Sequence, residues 1–66
     1  MKKKCEELLG KEVKITLNNG INFYGILDCF IPSSKSAILT DEIYIKSKGN
    51  IMGFVINNIK TIVENI

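Results

Sequence analysis

Val13-Lys14-Ile15-Thr16-Leu17-Asn18-Asn19-Gly20-Ile21-Asn22-Phe23-Tyr24-Gly25-Ile26-Leu27 places alternating apolar and polar runs on either side of an Asn-Gly pair. Val13, Ile15 and Leu17 face one way, and beyond the turn Ile21, Phe23, Gly25 and Leu27 share a parity. Asn-Gly readily takes the positive φ angles of a tight hairpin turn, which predicts that the two runs pair antiparallel. Gly25 sits inside the second run, where a glycine marks a sharp bend or a close approach of another backbone. A bent second strand that belongs to two sheets at once is how a very small β-barrel closes.

The flanking sequence extends that pattern. Residues 2–9 read as a short helix, with Cys5, Leu8 and Leu9 at helical spacing and Gly10 as its terminator. The lysines at its start oppose the helix dipole, so the first turn frays. Five strands are predicted at about 12–17, 21–31, 36–46, 51–56 and 59–64. Pro32-Ser33-Ser34-Lys35 is the loop after the second strand, and Ser47-Lys48-Gly49-Asn50 is the turn after the third. Asn57-Asn58, two residues that tolerate left-handed conformations, join the last pair. On the third strand Ala37, Leu39, Ile43 and Ile45 share one face and Thr40, Glu42 and Tyr44 the other, with Asp41 marking a strand end or a bulge. The last two strands are apolar on both faces: Ile51, Met52, Phe54, Val55 and Ile56, then Ile59, Ile62 and Val63. Such strands present an edge that invites pairing with another subunit.

A chain of 66 residues makes a single domain, taken as 1–66. Cores this small commonly need disulfides, a metal or a partner subunit. Cys5 and Cys29 do not make a disulfide framework, and without histidine there is no zinc site to complete; Cys29 reads as a small buried hydrophobe. Self-association is the staple left over. The start, Met1-Lys2-Lys3-Lys4, is followed by Cys5 and then Glu6-Glu7, which is no signal peptide, and no apolar run approaches membrane-spanning length. With two thiols, this predicts a reducing cytoplasm and no membrane partner.

Nine lysines against seven acids give a net charge of +2, and the absence of arginine removes the bidentate fork that grips phosphate or guanine. Twelve isoleucines and seven asparagines are a bias that AT-rich coding alone can produce, which lowers the weight any one Asn or Lys carries. Catalysis has no support: there is no histidine, no Ser or Cys beside a base, no phosphate loop and no paired-carboxylate site. Asp41 and Glu42 are adjacent on a strand and point to opposite faces. The expectation is a protein that is not an enzyme and uses neither cofactor nor metal.

A helix followed by five strands, with Gly10-x-x-Val13-x-Ile15-x-Leu17-x-x-Gly20-x-x-Phe23-x-Gly25-x-Leu27, resembles the first motif of the Sm and Sm-like family. The last pair looks most like the bacterial Hfq branch, whose Tyr-Lys-His-Ala-Ile-Ser-Thr stretch aligns with Val55-Ile56-Asn57-Asn58-Ile59-Lys60-Thr61. The Asn19-Gly20-Ile21 turn is similar to that branch too, and the resemblance covers residues 1–64. It implies a strongly bent, SH3-type barrel in an all-β fold with a short N-terminal helix. It also implies a homo-oligomeric ring, a hexamer or heptamer, in which the fourth strand of one subunit pairs with the fifth of the next. Ile51, Met52, Phe54, Ile56, Ile59, Ile62 and Val63 would be that interface.

In such rings RNA binds the pore face through the loop after strand two and the turn between strands four and five. Carried onto this chain, those positions are Phe30, Lys35, Ser36, Asn57 and Asn58. A second, purine-binding face around the first hairpin corresponds to Asn19, Gly20, Ile21, Asn22 and Tyr24. The chain departs from the family at several of these places. Ile31 stands where an Asp is usual, Ile56-Asn57 replaces the pore Lys-His pair, Thr16 replaces an aromatic, and Lys35 or Ser36 stands where a base-stacking residue is expected.

From the residues themselves, Asn57 and Asn58 either collar a pore with amides that read base edges or simply make a tight turn. Lys35, Lys46 and Lys48 are phosphate contacts or solvated charges, and Tyr24 is a stacking platform or a half-buried strand residue. The expected role is a non-catalytic, RNA-chaperone-type ring whose partners are itself and single-stranded RNA. Two alternatives stay open: a scaffold ring that lost RNA recognition and displays its faces to a protein partner, and a different SH3-like module.

Overall fold

A computed structural model describes residues 2–37 and 39–66. The chain opens with helix α1 (Lys2–Leu8), followed by strands β1 (Glu12–Leu17) and β2 (Asn22–Ile31). A 3-10 turn (Ser33–Lys35) leads to β3 (Glu42–Ser47) and β4 (Asn50–Val55), and a second 3-10 turn (Ile56–Asn58) leads to β5 (Ile59–Glu64). The fold is mostly β, with five antiparallel strands in one sheet and a short N-terminal helix, in the order β4-β3-β2-β1-β5. No described helix is long and apolar enough to cross a membrane.

The strand order forces the sheet to curl. Four inter-strand steps of about 4.8 Å would hold the β4 and β5 edges of a flat sheet about 19 Å apart. The link from Val55 to Ile59 spans at most about 14 Å. β4 and β5 therefore approach at that end only if the sheet wraps around. Inside the wrap lie Cys5, Leu8, Val13, Ile15, Leu27, Ile43, Ile45, Ile59 and Ile62, with Leu17, Phe23, Phe30, Met52, Phe54 and Ile56 packed against them. Each fully buried aliphatic side chain contributes about 1.5–3 kcal/mol. α1 adds Cys5 and Leu8 to this core and packs on β2 and β5. Gly10, at φ +81°, ends the helical segment in the left-handed region, and its N–H donates to the Leu27 carbonyl at 2.8 Å.

β2 bends by changing partner. Its residues 22–26 pair with β1 and its residues 26–31 pair with β3, so Ile26 is the hand-over point. Gly25 stands beside it for the expected reason: a Cβ there would lie 2.9 Å from the backbone carbonyl oxygen of Lys46. Just beyond, the register slips between Leu27 and Cys29. That bulge inverts the inward parity, so Phe30 faces the core opposite Ile43, following Leu27 opposite Ile45.

The first turn is a different device from the one the Asn-Gly pair predicts. Only Gly20 has positive φ, +89°; Leu17 N–H donates to Ile21 O and Gly20 N–H to Leu17 O, both at 2.9 Å. This is a three-residue loop with a left-handed glycine, closed further by Asn19 Oδ1 accepting the Ile21 N–H at 3.0 Å. The two-residue turn with both φ positive occurs instead at Lys48 (52°) and Gly49 (83°), between β3 and β4.

The third strand is shorter than the predicted 36–46. It begins at Glu42, which makes Asp41 a strand end, and Ile38 lies outside the described residues. Local hydrogen bonds hold the segment before it out of the ladder. Lys35 N–H donates to Pro32 O, Leu39 N–H to Ser36 O and Ser33 N–H to Asp41 Oδ1. Leu39, expected to share the face of Ile43 and Ile45, is instead 80% exposed at φ 60°. Cys29, read as a buried hydrophobe, is only half-buried; the fully buried thiol is Cys5.

Gly25→Ala should cost about 1–3 kcal/mol, because the Lys46 carbonyl must move away and the β2–β3 pairing with it. Gly20→Ala, with open space around its Cβ position but a positive φ, should cost less, about 1 kcal/mol. Urea unfolding of the two variants checks the order; equal midpoints would mean that the contact at Gly25 constrains nothing.

Candidate functional site

One end of the curled sheet gathers three connections. Asn18, at the tip of the β1–β2 hairpin, donates its N–H to the Asn58 carbonyl and its Nδ2 to the Asn57 carbonyl, both at 2.9 Å. Ile56 N–H donates to Asp41 O at 2.9 Å, which ties in the end of the β2–β3 loop. Between the hairpin tip and the Ile56–Asn58 turn lies a cleft of about 220 Å³, lined by Leu17, Asn18, Asn19 and Asn58. Asn57 and Asn58 are exposed there. Asn19 and Gly20, expected on a separate face from Asn57 and Asn58, therefore share an end of the molecule with them. Asn22 accepts from Thr16 Oγ1 at 2.7 Å on Oδ1, and Ile21 is exposed next to the turn. Asn18 was legible in sequence only as a turn residue; nothing in its local spacing announced a partner 39 positions away.

The β2–β3 loop supplies less than the resemblance implies. Lys35 is exposed, but Ser36 is buried, with its Oγ donating to Glu42 Oε1 at 2.6 Å. A hydroxyl used in this way is an internal strut between the loop and β3. Phe30 is half-buried with its ring against the core, because the bulge at Asp28 turns it inward. Glu42 also accepts from the Tyr44 hydroxyl at 3.2 Å on Oε2, and the Tyr44 ring lies over Gly53 of β4, where a Cβ would meet it at 2.7 Å.

The expected interface residues divide into two groups. Ile59 and Ile62 are core residues of their own chain, and Met52, Phe54 and Ile56 pack against that core. Phe54 also stacks obliquely on Phe23, with centroids 5.0 Å apart. The apolar character of these five is used inside the chain, on the inward face of the two strands. The outward apolar residues are Ile51, 61% exposed, and Val63, 41% exposed, one on each edge strand. The edges themselves are open: β4 pairs only with β3 and β5 only with β1.

Tyr24 stands apart from the turn cluster, on the outer face of β2, 47% exposed. Among the described residues the single ion pair is Lys11–Glu64 at 3.9 Å, and no cluster of three His, Cys, Asp or Glu side chains could hold a metal ion. Burial raises the thiol pKa of Cys5, and burial together with Asp28 raises that of Cys29, so neither is an activated nucleophile. Compared with family models, with curated proteins and with solved structures, the chain has no significant match in any of the three.

The hydrogen bond to Glu42, and then the Glu42 charge, push the Tyr44 phenol above its ordinary value of 10.0. A raised folded-state pKa stabilises the fold below the unfolded value and loses that contribution as pH climbs through the folded one. Tyr44→Phe should therefore flatten the fall of melting temperature above pH 10 relative to the parent. An unchanged alkaline limb in circular dichroism melts would show that the bond is not maintained in solution.

Proposed function

We propose that this chain is a non-catalytic, RNA-binding Sm-like protein whose subunits close into a homo-oligomeric ring of six or seven. One observation carries the reading: β4 and β5 follow each other in sequence, do not pair with each other, and form the two free edges of a single curled sheet. An open edge at each side of a small barrel is a donor and acceptor row waiting for a neighbour. Joining β4 of one subunit to β5 of the next leaves no edge once the ring closes, and the operation is head-to-tail, as rings require. Exposed Ile51 and Val63 on those edges support the same joint. RNA recognition would rest on exposed Asn57 and Asn58, with lysines as point-charge phosphate contacts.

A specific observation favours a second reading, a scaffold ring without RNA. Ser36 and Phe30 are turned inward, and Asn18 already occupies the Asn57 and Asn58 carbonyls. Of the five positions the resemblance assigns to the pore face, Lys35, Asn57 and Asn58 remain exposed.

Light scattering should give a mass near six or seven times 7.4 kDa. Val63→Asp and Ile51→Asp should each break the assembly while the isolated chain keeps its strand signal, since an unpaired charge at a buried joint costs about 3–5 kcal/mol. Ile62→Asp should instead unfold the chain, because that side chain is 1% exposed within its own core. A monomeric parent at micromolar concentration would end the ring reading.

Fluorescence anisotropy with oligo-U, oligo-A and random RNA at two salt concentrations separates the two readings. The RNA reading expects binding with a log–log salt slope of about −2 to −3, from a few phosphate contacts at about 0.7 each. It also expects loss of base preference in the Asn57→Ala/Asn58→Ala double variant. A ring that binds no RNA at low salt is the scaffold.

A further inference from the structure

Leu39 and Thr40, in the connection between β2 and β3, break three local rules within two residues. Leu39 stands at φ 60°, in the left-handed region that a leucine rarely occupies, and its side chain is 80% exposed. The Thr40 hydroxyl is buried without a hydrogen-bond partner among the described residues. The segment is held in this form by its surroundings: Leu39 N–H donates to Ser36 O at 3.2 Å, Ser36 Oγ to Glu42 Oε1 at 2.6 Å, and Ser33 N–H to Asp41 Oδ1 at 2.7 Å. A backbone outlier that its neighbours fix in place is a pointer to use. What is fixed here is one large aliphatic side chain, presented to solvent.

Its place in the fold says what it could meet. Asp41 O, accepting the Ile56 N–H, adds one rung to the β3–β4 ladder beyond Glu42 opposite Val55. Leu39, just before that rung, therefore leaves the sheet where the open edge of β4 ends. The Ile56–Asn58 turn sets the end of β4 and the start of β5 at one end of the molecule, so β4 runs toward the turn and β5 away from it. A ring closed by rotation keeps that turn at the same end in every copy. Its β4–β5 joints are then antiparallel, and Asn58 and Ile59 of the next copy arrive beside Val55. With them arrives the cleft of about 220 Å³ lined by Leu17, Asn18, Asn19 and Asn58. Asn18 Nδ2 and Asn19 Oδ1 are already spent on Asn57 O and the Ile21 N–H, which leaves Leu17 as an apolar wall.

We infer that, in the ring proposed above, Leu39 of one copy seats in this cleft of the next, against Leu17, and clasps the β4–β5 joint. The inference rests on the ring reading and is independent of RNA. It gives the cleft an occupant that its own chain does not supply, since Leu39 is exposed in the single chain and Ile21, also exposed, belongs to the hairpin that walls the cleft. It also gives the loop a reason to hold a leucine at a costly φ.

Leu39→Asn separates the clasp from an idle exposed leucine, because asparagine tolerates the left-handed conformation. In the Val63→Asp background, where the chain is a monomer, Leu39→Asn should raise the melting temperature. In the otherwise unaltered chain it should weaken subunit association about ten-fold or more per joint, measured by light scattering on dilution. An idle leucine would give the first effect without the second. Contact is checked by mixing chains that carry Leu39→Cys with chains that carry Asn19→Cys, both in a Cys29→Ser background, under mild oxidation. A disulfide should join the two kinds of chain. Lys48→Cys, at the opposite end of β4, should not join to Leu39→Cys. A ring whose association ignores Leu39→Asn and which gives no Leu39–Asn19 cross-link overturns the clasp and leaves the ring standing. Weakened association without that cross-link overturns the cleft as the seat of Leu39. Equal cross-linking to Asn19→Cys and Lys48→Cys marks random collision and overturns it too. A monomeric parent at micromolar concentration overturns both the clasp and the ring.

Discussion

Ile56, Asn57 and Asn58 must carry the chain from one edge of the sheet to the other, and the rest of the structure accommodates that short passage. A connection of three residues between strands that are outermost in the sheet makes curling obligatory. Curling needs a strand that serves two neighbours in succession, which is what β2 does at Ile26, and it needs room for two backbones to crowd together, which Gly25 supplies. The passage is also braced: Asn18 bonds two of its carbonyls and Asp41 takes the Ile56 N–H.

The same constraint divides the labour of the apolar residues. With the sheet wrapped, inward positions on all five strands and two on the helix meet in one core, so even the edge strands bury their larger side chains. What they leave outside is main chain, with Ile51 on one edge and Val63 on the other. An interface built on such edges draws mainly on ladder hydrogen bonds and only secondarily on side-chain burial. The polar struts follow similar economy: Ser36 and Tyr44 both spend their hydroxyls on Glu42 and fix the start of β3 under the adjacent loop.

Much of this was legible in the residues because period-two alternation and turn chemistry are local. β1 spans the alternating run Glu12–Leu17, and Gly25 signalled a close approach by being a glycine inside a strand. Where competing local bonds matter, the pattern misleads. Ala37 and Leu39 keep strand parity, yet serine, proline and aspartate hold that segment in turns. The bulge at Asp28 inverts parity without any residue to announce it, so the inward turn of Phe30 could be seen only in three dimensions. The meeting of Asn18 with Asn57 and Asn58 depends on how far the sheet curls, which no local spacing encodes. Turn type was also misassigned locally: the two-residue turn with both φ positive uses Lys48-Gly49, where the register leaves only two residues free, while Asn18-Asn19-Gly20 has three.

The pairing of β5 with β1 has a kinetic side. Asn65 bonds Glu12 across a sequence separation of 53, whereas the β1–β2 hairpin closes over a handful of residues. Loop-closure entropy makes the long contact about 2 kcal/mol harder to form than the hairpin, by the logarithmic dependence on length. The meander β1–β2–β3–β4 is thus an early, local assembly, and the docking of β5 is the late step that shuts the core. Until then both β1 and β4 expose unpaired edges, and the first copy to arrive competes with the chain's own C-terminal strand for β1. Dilute refolding favours the intramolecular partner; crowded refolding invites strand exchange between chains.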